Sequence, residues 1–250
     1  TAGGYLLFYG LGTGSKNLFE QVDPESHKLR RESDELFLKE PIPAITIQLV
    51  LEVAVRGRII GSVTLFRDEI MVSTDENSIL RYRWDGTINN DFCLDLRRIP
   101  FSMDQQASRA VPLQDPNLYP IDFHFSPTIG GFSLVLSDGR AAFLTASTKV
   151  YDPNSVQGIW AGNLDDVTCS CVSHKYRLLS FGRRNAETAV FSVEDQTGGL
   201  QHMFNLKLSS RDFPGSPGPV RALAWTPDGC AIAVSWEKGG FALWSVFGSL

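Results

Sequence analysis

The stretch GGYLLFYGLGTGSKN, residues 3–17, assembles the parts of a phosphate cradle: an apolar run, a glycine-rich loop and a lysine. A P-loop, G-x-x-x-x-G-K-[ST], needs its second glycine so that backbone N–H groups wrap the phosphates, and a hydroxyl after the lysine to hold magnesium. Counted from Gly10, Ser15 stands where that glycine belongs, and Lys16 is followed by Asn17. The dinucleotide pattern G-x-G-x-x-G fails as well, since Gly14 follows Gly12 one place too early. Both patterns require a helix whose N-terminus faces the anion, and only NLFEQV separates the lysine from Asp23-Pro24. The glycines are expected to mark the exit from a strand into a surface insert.

Other chemistry-bearing residues are dispersed. Cys169-x-Cys171 has no second cysteine pair or histidine pair nearby to complete four metal ligands. On a strand the two thiols share one sheet face, where buried cysteines are ordinary. The histidines, His27, His124, His174 and His202, lack metal-type spacing, and neither G-x-S-x-G nor H-E-x-x-H occurs. Ser173 and His174 are adjacent, which on a strand or turn points their side chains apart. Asp75, Asp138 and Asp228 fall at turn signals and read as turn caps. The five tryptophans, Trp84, Trp160, Trp225, Trp236 and Trp244, read as core, with Trp160 the best placed to be exposed because it falls between strand groups. No catalytic, cofactor-binding or metal-binding residue is assigned, and no cofactor is expected.

Composition sets further bounds. At 250 residues and 43% hydrophobic the chain can bury a sizeable core. Its net charge of −5 argues against a nucleic-acid partner, and the clusters at Lys28–Arg31, Arg97-Arg98 and Arg183-Arg184 are short. The chain opens on Thr1 with no signal-peptide pattern. The densest apolar run, residues 43–55, carries Gln48 and Glu52 and is too short to span a membrane. Four scattered cysteines and the absence of an Asn-x-Ser/Thr acceptor favour a reducing, cytoplasmic compartment.

The elements that must position these residues are strands. SVTLF (62–66), EIMVST (69–74), SILRYRW (78–84) and FCLDLRRI (92–99) follow one another across short turns, the pattern of an antiparallel meander. SILRYRW puts Leu80, Tyr82 and Trp84 on an apolar face and Arg81 and Arg83 on a basic one. The unit recurs with strands in 121–146, again with VTCSCVS, YRLLSFG, ETAVFSVE and LQHMFNLKL in 167–208, and again in 220–246. Third strands align as GGYLLFYG, NSILRYRWDG, DGRAAFLTA, AETAVFSVE and GGFALWSVFG, with Trp84-Asp85 and Trp244-Ser245 near the place where WD repeats carry Trp-Asp. The first strand of the last unit ends in AWTPDG, where an aromatic packs between sheets and Pro-Asp-Gly makes the turn. A four-stranded sheet cannot cover both its faces alone, and radial stacking covers each with a neighbour. The expectation is an all-β, WD-repeat-like β-propeller, incomplete, of about four blades: a partial first unit, three fuller units and a last unit ending after its third strand. Residues 1–250 then form one partial propeller with rim inserts at about 11–43, 102–120 and 209–219; the first holds SHKLRRESDELFLKE, a solvated insert with the makings of a short helix. The usual Gly-His start of a WD repeat is missing, so the blades should rely on apolar packing.

HKYRLLSFG (174–182), ALAWTPDG (222–229) and SWEKGGFALWSVFG (235–248) resemble the amino-terminal WD-repeat region of the Ric-one family, large subunits of the Ric/Rgp guanine-nucleotide exchange complex. The likeness extends to TAGGYLLFY and ENSILRYRWDG and is weakest near 11–40 and 101–118. It implies nucleotide exchange on a Rab-six type Golgi GTPase in retrograde endosome-to-Golgi transport, with an Rgp-type second subunit, peripheral to the Golgi membrane. The region read here would be a platform within that complex. The competing class is a vesicle coat or tethering scaffold without exchange activity.

Overall fold

The computed structural model describes residues 3–14, 44–65, 69–90, 93–103, 110–145, 156–195 and 199–250. The Lys28–Arg31 cluster and the solvated insert expected over SHKLRRESDELFLKE lie outside them. The described chain is all-β and falls into two compact units, residues 5–54 and 55–250, the second joined by residues 2–4.

In the first unit β1 (Tyr5–Gly14) pairs antiparallel with β2 (Ala44–Ala54), with a bulge between Phe8 and Tyr9. The glycine-rich stretch therefore does not end the strand: Gly10, Gly12 and Gly14 stay in register with Gln48, Thr46 and Ala44. Glycine weakens a strand, but the partner is rich in β-branched residues that favour the pleated backbone. The apolar run at 43–55 supplies this strand, and the insert after β1 begins beyond Gly14 rather than at Leu11.

The second unit is a series of antiparallel meanders. The first comprises β3 (Ile59–Leu65), β4 (Glu69–Thr74), β5 (Ser78–Arg83) and β6 (Leu94–Asp95). The fourth strand expected over 92–99 is only two residues long, because Asp95 caps a 3-10 turn at Leu96–Arg98. The chain then runs through β7 (Pro100–Ser102) and β8 (Val111–Pro112). Next come β9 (Pro120–Ser126), β10 (Gly131–Leu136), β11 (Ala141–Thr145) and β12 (Gln157–Trp160). β7 adds parallel to the outer edge of β12, and β8 pairs with β7. The third meander is β13 (Val167–Ser173), β14 (Leu178–Arg183), β15 (Thr188–Val193) and β16 (Leu200–Leu206). The fourth has three strands, β17 (Val220–Trp225), β18 (Ala231–Trp236) and β19 (Phe241–Ser245).

The repeat is visible in the backbone. All four first strands carry a bulge at their second residue, Ile60, Ile121, Thr168 and Arg221. The turns into the third strands hold a positive φ at Asn77, Gly139 and Ala186, and one place later at Gly240. β3, β9, β13 and β17 lie against one another in sequence, and three apolar cores fill the spaces between successive sheets. Met71, Phe123, Phe132 and Leu134 belong to the first, Phe143, Leu179, Phe181 and Phe191 to the second, and Val190, Val220, Ile232, Trp236 and Trp244 to the third. This is the architecture of an incomplete β-propeller.

Register identifies matching positions. The pairs Met71–Arg81, Ser133–Phe143, Ser180–Val190 and Ala233–Leu243 stand at the same point of their hairpins, as do Ile79, Ala141, Thr188 and Phe241. Ile79, Ala141 and Thr188 are buried, and so are Arg81, Phe143 and Val190; Phe241 and Leu243, on the last sheet, are 70% and 53% exposed.

Candidate interaction surface

In these meanders the first-to-second and third-to-fourth turns share one end of each sheet. The second-to-third turns share the other end with the connections between sheets. Hydrogen bonds tie each end together: Val167 N–H donates to Gly139 O at 2.9 Å and Glu237 N–H to Pro219 O at 3.0 Å on one rim, Val193 N–H to Arg177 O at 2.9 Å and Val246 N–H to Cys230 O at 2.8 Å on the other.

The rims differ in chemistry. On the rim of the second-to-third turns, Arg56 pairs with Glu76 (2.8 Å), Arg140 with Asp138 (2.6 Å), Arg183 with Asp166 (2.7 Å), Lys207 with Glu187 (2.9 Å) and Arg221 with Glu237 (3.2 Å). The expected cluster Arg97-Arg98 converges on Asp95, whose carboxyl is held below its ordinary range first by the hydrogen bond from Arg97. The other rim exposes Trp84, Ile88, Tyr176 and Phe247, and Lys175 sits 5.1 Å from the Tyr176 ring centre. Exposed aromatics of this kind are enriched where proteins bind proteins.

The residues singled out for chemistry are used structurally. Asp138 accepts from Arg140 N–H (3.0 Å) and Asp228 from Cys230 N–H (3.0 Å), as expected of turn caps, whereas Asp75 accepts from Arg58 N–H (2.7 Å), outside its own turn and just before β3. Ser173 and His174 point apart: Ser173 Oγ accepts from Tyr176 N–H (3.3 Å), while His174 Nδ1 meets Ser126 Oγ of the preceding sheet at 3.2 Å. Ser126 is fully buried, so no substrate reaches its hydroxyl. His124 Nε2 lies 3.3 Å from Asp122, and the other Asp122 oxygen accepts from Ser170 N–H at 2.6 Å, joining β9 to β13. His202 contacts Asn205 at 3.0 Å. Cys169 and Cys171 do share a face; burial pushes the Cys169 thiol up to about 12 and raises Cys171 as well. Among the described residues no group of three His, Cys, Asp or Glu side chains is placed to hold a metal.

Two expectations change. Trp160 is not the exposed tryptophan: it lies in β12, half-buried, stacked on Phe101 at 4.6 Å with the Arg140 guanidinium 4.5 Å from its ring centre. Trp84 is 47% exposed instead, just past β5, and its neighbour Asp85 caps Thr87 N–H at 2.8 Å. On the basic face of SILRYRW, Arg81 is only 5% exposed and is ion-paired and hydrogen-bonded to Glu69. Asn89 Nδ2 donates to the second Glu69 oxygen at 3.0 Å. Sequence reading also missed a cleft of about 450 Å³ at the outer edge of the second sheet, lined by Phe101, Met103, Val111, Pro112, Arg140 and Trp160. Its only sequence signal was the insert that carries β8.

No family model matches the chain. Among curated proteins it is similar to "Guanine nucleotide exchange factor subunit RIC1" of Homo sapiens and of Mus musculus, each 29% identical over 255 residues, 100% of this chain and 18% of the relative. It is also similar to "Guanine nucleotide exchange factor subunit R06F6.8" of Caenorhabditis elegans, 29% identical over 232 residues, 91% of this chain and 16% of the relative. The chain thus spans less than a fifth of the relatives it matches. Across its whole length, inserts included, it is similar to subunits of the Ric-one type of guanine-nucleotide exchange factor.

Proposed function

We propose that this chain is part of the WD-repeat propeller scaffold of a guanine-nucleotide exchange factor complex that acts on a Rab-six type Golgi GTPase, in retrograde transport from endosomes to the Golgi. It works with an Rgp-type second subunit, in the cytoplasm and peripheral to Golgi membranes. The observation that carries this reading is similarity to exchange-factor subunits along the entire chain rather than over one repeat. Exchange needs a surface that holds the GTPase with its switch segments and magnesium displaced, since those segments are ordered by nucleotide and metal. A set of stacked sheets with one rim laced by ion pairs and another that exposes aromatics beside the Arg177–Asp195 pair suits that role as a platform, and no catalytic residue is assigned to it.

The test is nucleotide release from a Rab-six type GTPase, followed by a fluorescent guanine nucleotide, with the full-length protein and its Rgp-type partner present. Accelerated release is the expected result. Capture of the partner with no acceleration would overturn the exchange reading and leave a coat or tethering scaffold.

A further inference from the structure

The cleft at the outer edge of the second sheet holds an apolar wall and an unspent cation side by side. It exists because the connection before that sheet folds back as β7 and β8 and lies beside β12, an addition that no other sheet carries among the described residues. Phe101 rests directly on the backbone of β12, since a Cβ at Gly158 would stand 2.2 Å from its ring. Trp160 stacks on Phe101 in turn, and Met103 and Val111, 55% and 50% exposed, leave apolar area in contact with water beside Pro112. A volume of about 450 Å³ is room for a few side chains, not for a folded surface.

The charge beside this wall is set for one anion. The Arg140 guanidinium lies 4.5 Å from the Trp160 ring centre, and its Nε donates to Asp138 at 2.6 Å. Among the described residues its two terminal nitrogens have no partner. The stacking and the Nε bond fix the plane of the group, so the outer N–H pair is a fork that can take a second carboxylate without displacing Asp138. Asp115 also lines the cleft, held in place where its Oδ1 accepts from Asn117 N–H at 2.9 Å. That charge turns away a run of acids while leaving room for one at Arg140.

We propose that this cleft binds a short extended segment of a partner protein in which a single aspartate or glutamate stands beside large apolar residues. The apolar side chains lie against Trp160, Met103 and Val111 and supply most of the affinity, while the carboxylate meets the Arg140 fork and sets the direction of the segment. Addition of a strand to the sheet is not the mode, because Pro112 on the outermost strand has no N–H to give. Nucleic acid and anionic lipid present many negative charges together and would meet both Asp115 and Asp138. Exchange activity plays no part in this binding.

The experiment is fluorescence polarisation of the full-length polypeptide with pools of fluorescein-labelled octapeptides: one acid beside leucine and phenylalanine, a lysine in place of the acid, and the acid beside serines. The first pool should bind at least about fivefold more tightly than the lysine pool and at least about tenfold more tightly than the serine pool. Arg140→Gln should abolish the preference for acid over lysine, and Val111→Asp, which charges the exposed wall and leaves Arg140 in place, should weaken the first pool at least about tenfold. Equal binding of the acid and lysine pools, no binding of any pool, or first-pool binding unchanged in Val111→Asp overturns the proposal. Capture on phosphatidylserine vesicles without any preference among the peptides overturns it in favour of a lipid surface. Should Arg140→Gln lower the unfolding midpoint, Val111→Asp and the comparison of pools on the unaltered protein decide the matter.

Discussion

Replacing Glu69 with alanine should weaken the first sheet far more than a surface ion-pair deletion would. Arg81 stands where Phe143 and Val190 stand in the next two sheets, so a charge occupies a position built for apolar contact. Glu69 receives both the Arg81 guanidinium and the Asn89 amide. Two unit charges 4 Å apart attract by about 4 kcal/mol at an effective dielectric near 20, and most of that offsets the cost of taking both out of water. Removing Glu69 takes this counter-charge from the buried Arg81, and breaking a buried pair in this way costs about 3–5 kcal/mol. At about 1.4 kcal/mol per tenfold change, native-state hydrogen exchange of the β4 and β5 amides in the full-length protein should accelerate by roughly two to three and a half powers of ten. Replacing both residues with apolar ones, Glu69→Met with Arg81→Leu, should restore protection, because an apolar pair of similar volume avoids the desolvation cost. A loss below about 1 kcal/mol in Glu69→Ala would show that the pair is solvated and the reasoning wrong. A double variant as unstable as the single would show that the charges, not the volume, are what the site requires.

Gly182→Ala should destabilise the third and fourth sheets together by about 1–3 kcal/mol, because its new methyl would stand 2.4 Å from Val220 Cγ1 and 2.8 Å from Cys169 Sγ; an unchanged unfolding midpoint would deny that close approach. Burial lifts the folded Cys169 thiol from an ordinary 9.0 to about 12, so the folded state keeps it neutral after the unfolded chain has begun to ionise. Its stabilising contribution is complete below pH 9 and is lost as pH climbs towards 12, by up to about 1.4 kcal/mol per pH unit. Stability measured across that window in wild type and Cys169→Ala should show a flatter slope in the variant, and equal slopes would place the titration elsewhere.

The repeat was legible in the sequence because alternation and turn residues are local signals. EIMVST, SILRYRW and VTCSCVS fall within a residue of β4, β5 and β13, while SVTLF begins three residues after β3 does. What escaped depended on partners distant in sequence. Gly10–Gly14 reads as a loop until the β-branched strand at 44–54 is set beside it. Trp160 reads as a linker residue until Phe101 arrives from the connection before its own sheet. Arg81 reads only as part of a basic strand face, because nothing local shows that Glu69, twelve residues earlier, lies beneath it. Trp84-Asp85 misled in the opposite direction, since the dipeptide is present while the tryptophan stands half in water and the aspartate merely caps a turn.

The same distinction bears on how the proposed scaffold would hold a partner. On the charged rim many cations already have a carboxylate at hand, as in Arg140–Asp138, Arg183–Asp166 and Lys207–Glu187. A partner that docks there exchanges one exposed ion pair for another, a trade worth little in affinity but able to set orientation and speed encounter. Trp84, Tyr176 and Phe247 on the opposite rim have area still to bury, and aromatic anchors supply a large share of interface energy. Ion pairs between strand ends also brace the turns that link neighbouring sheets, as Arg183 does in joining the third sheet to the connection before it. One rim therefore serves first to stiffen the stack, and the other is the better endowed to bind.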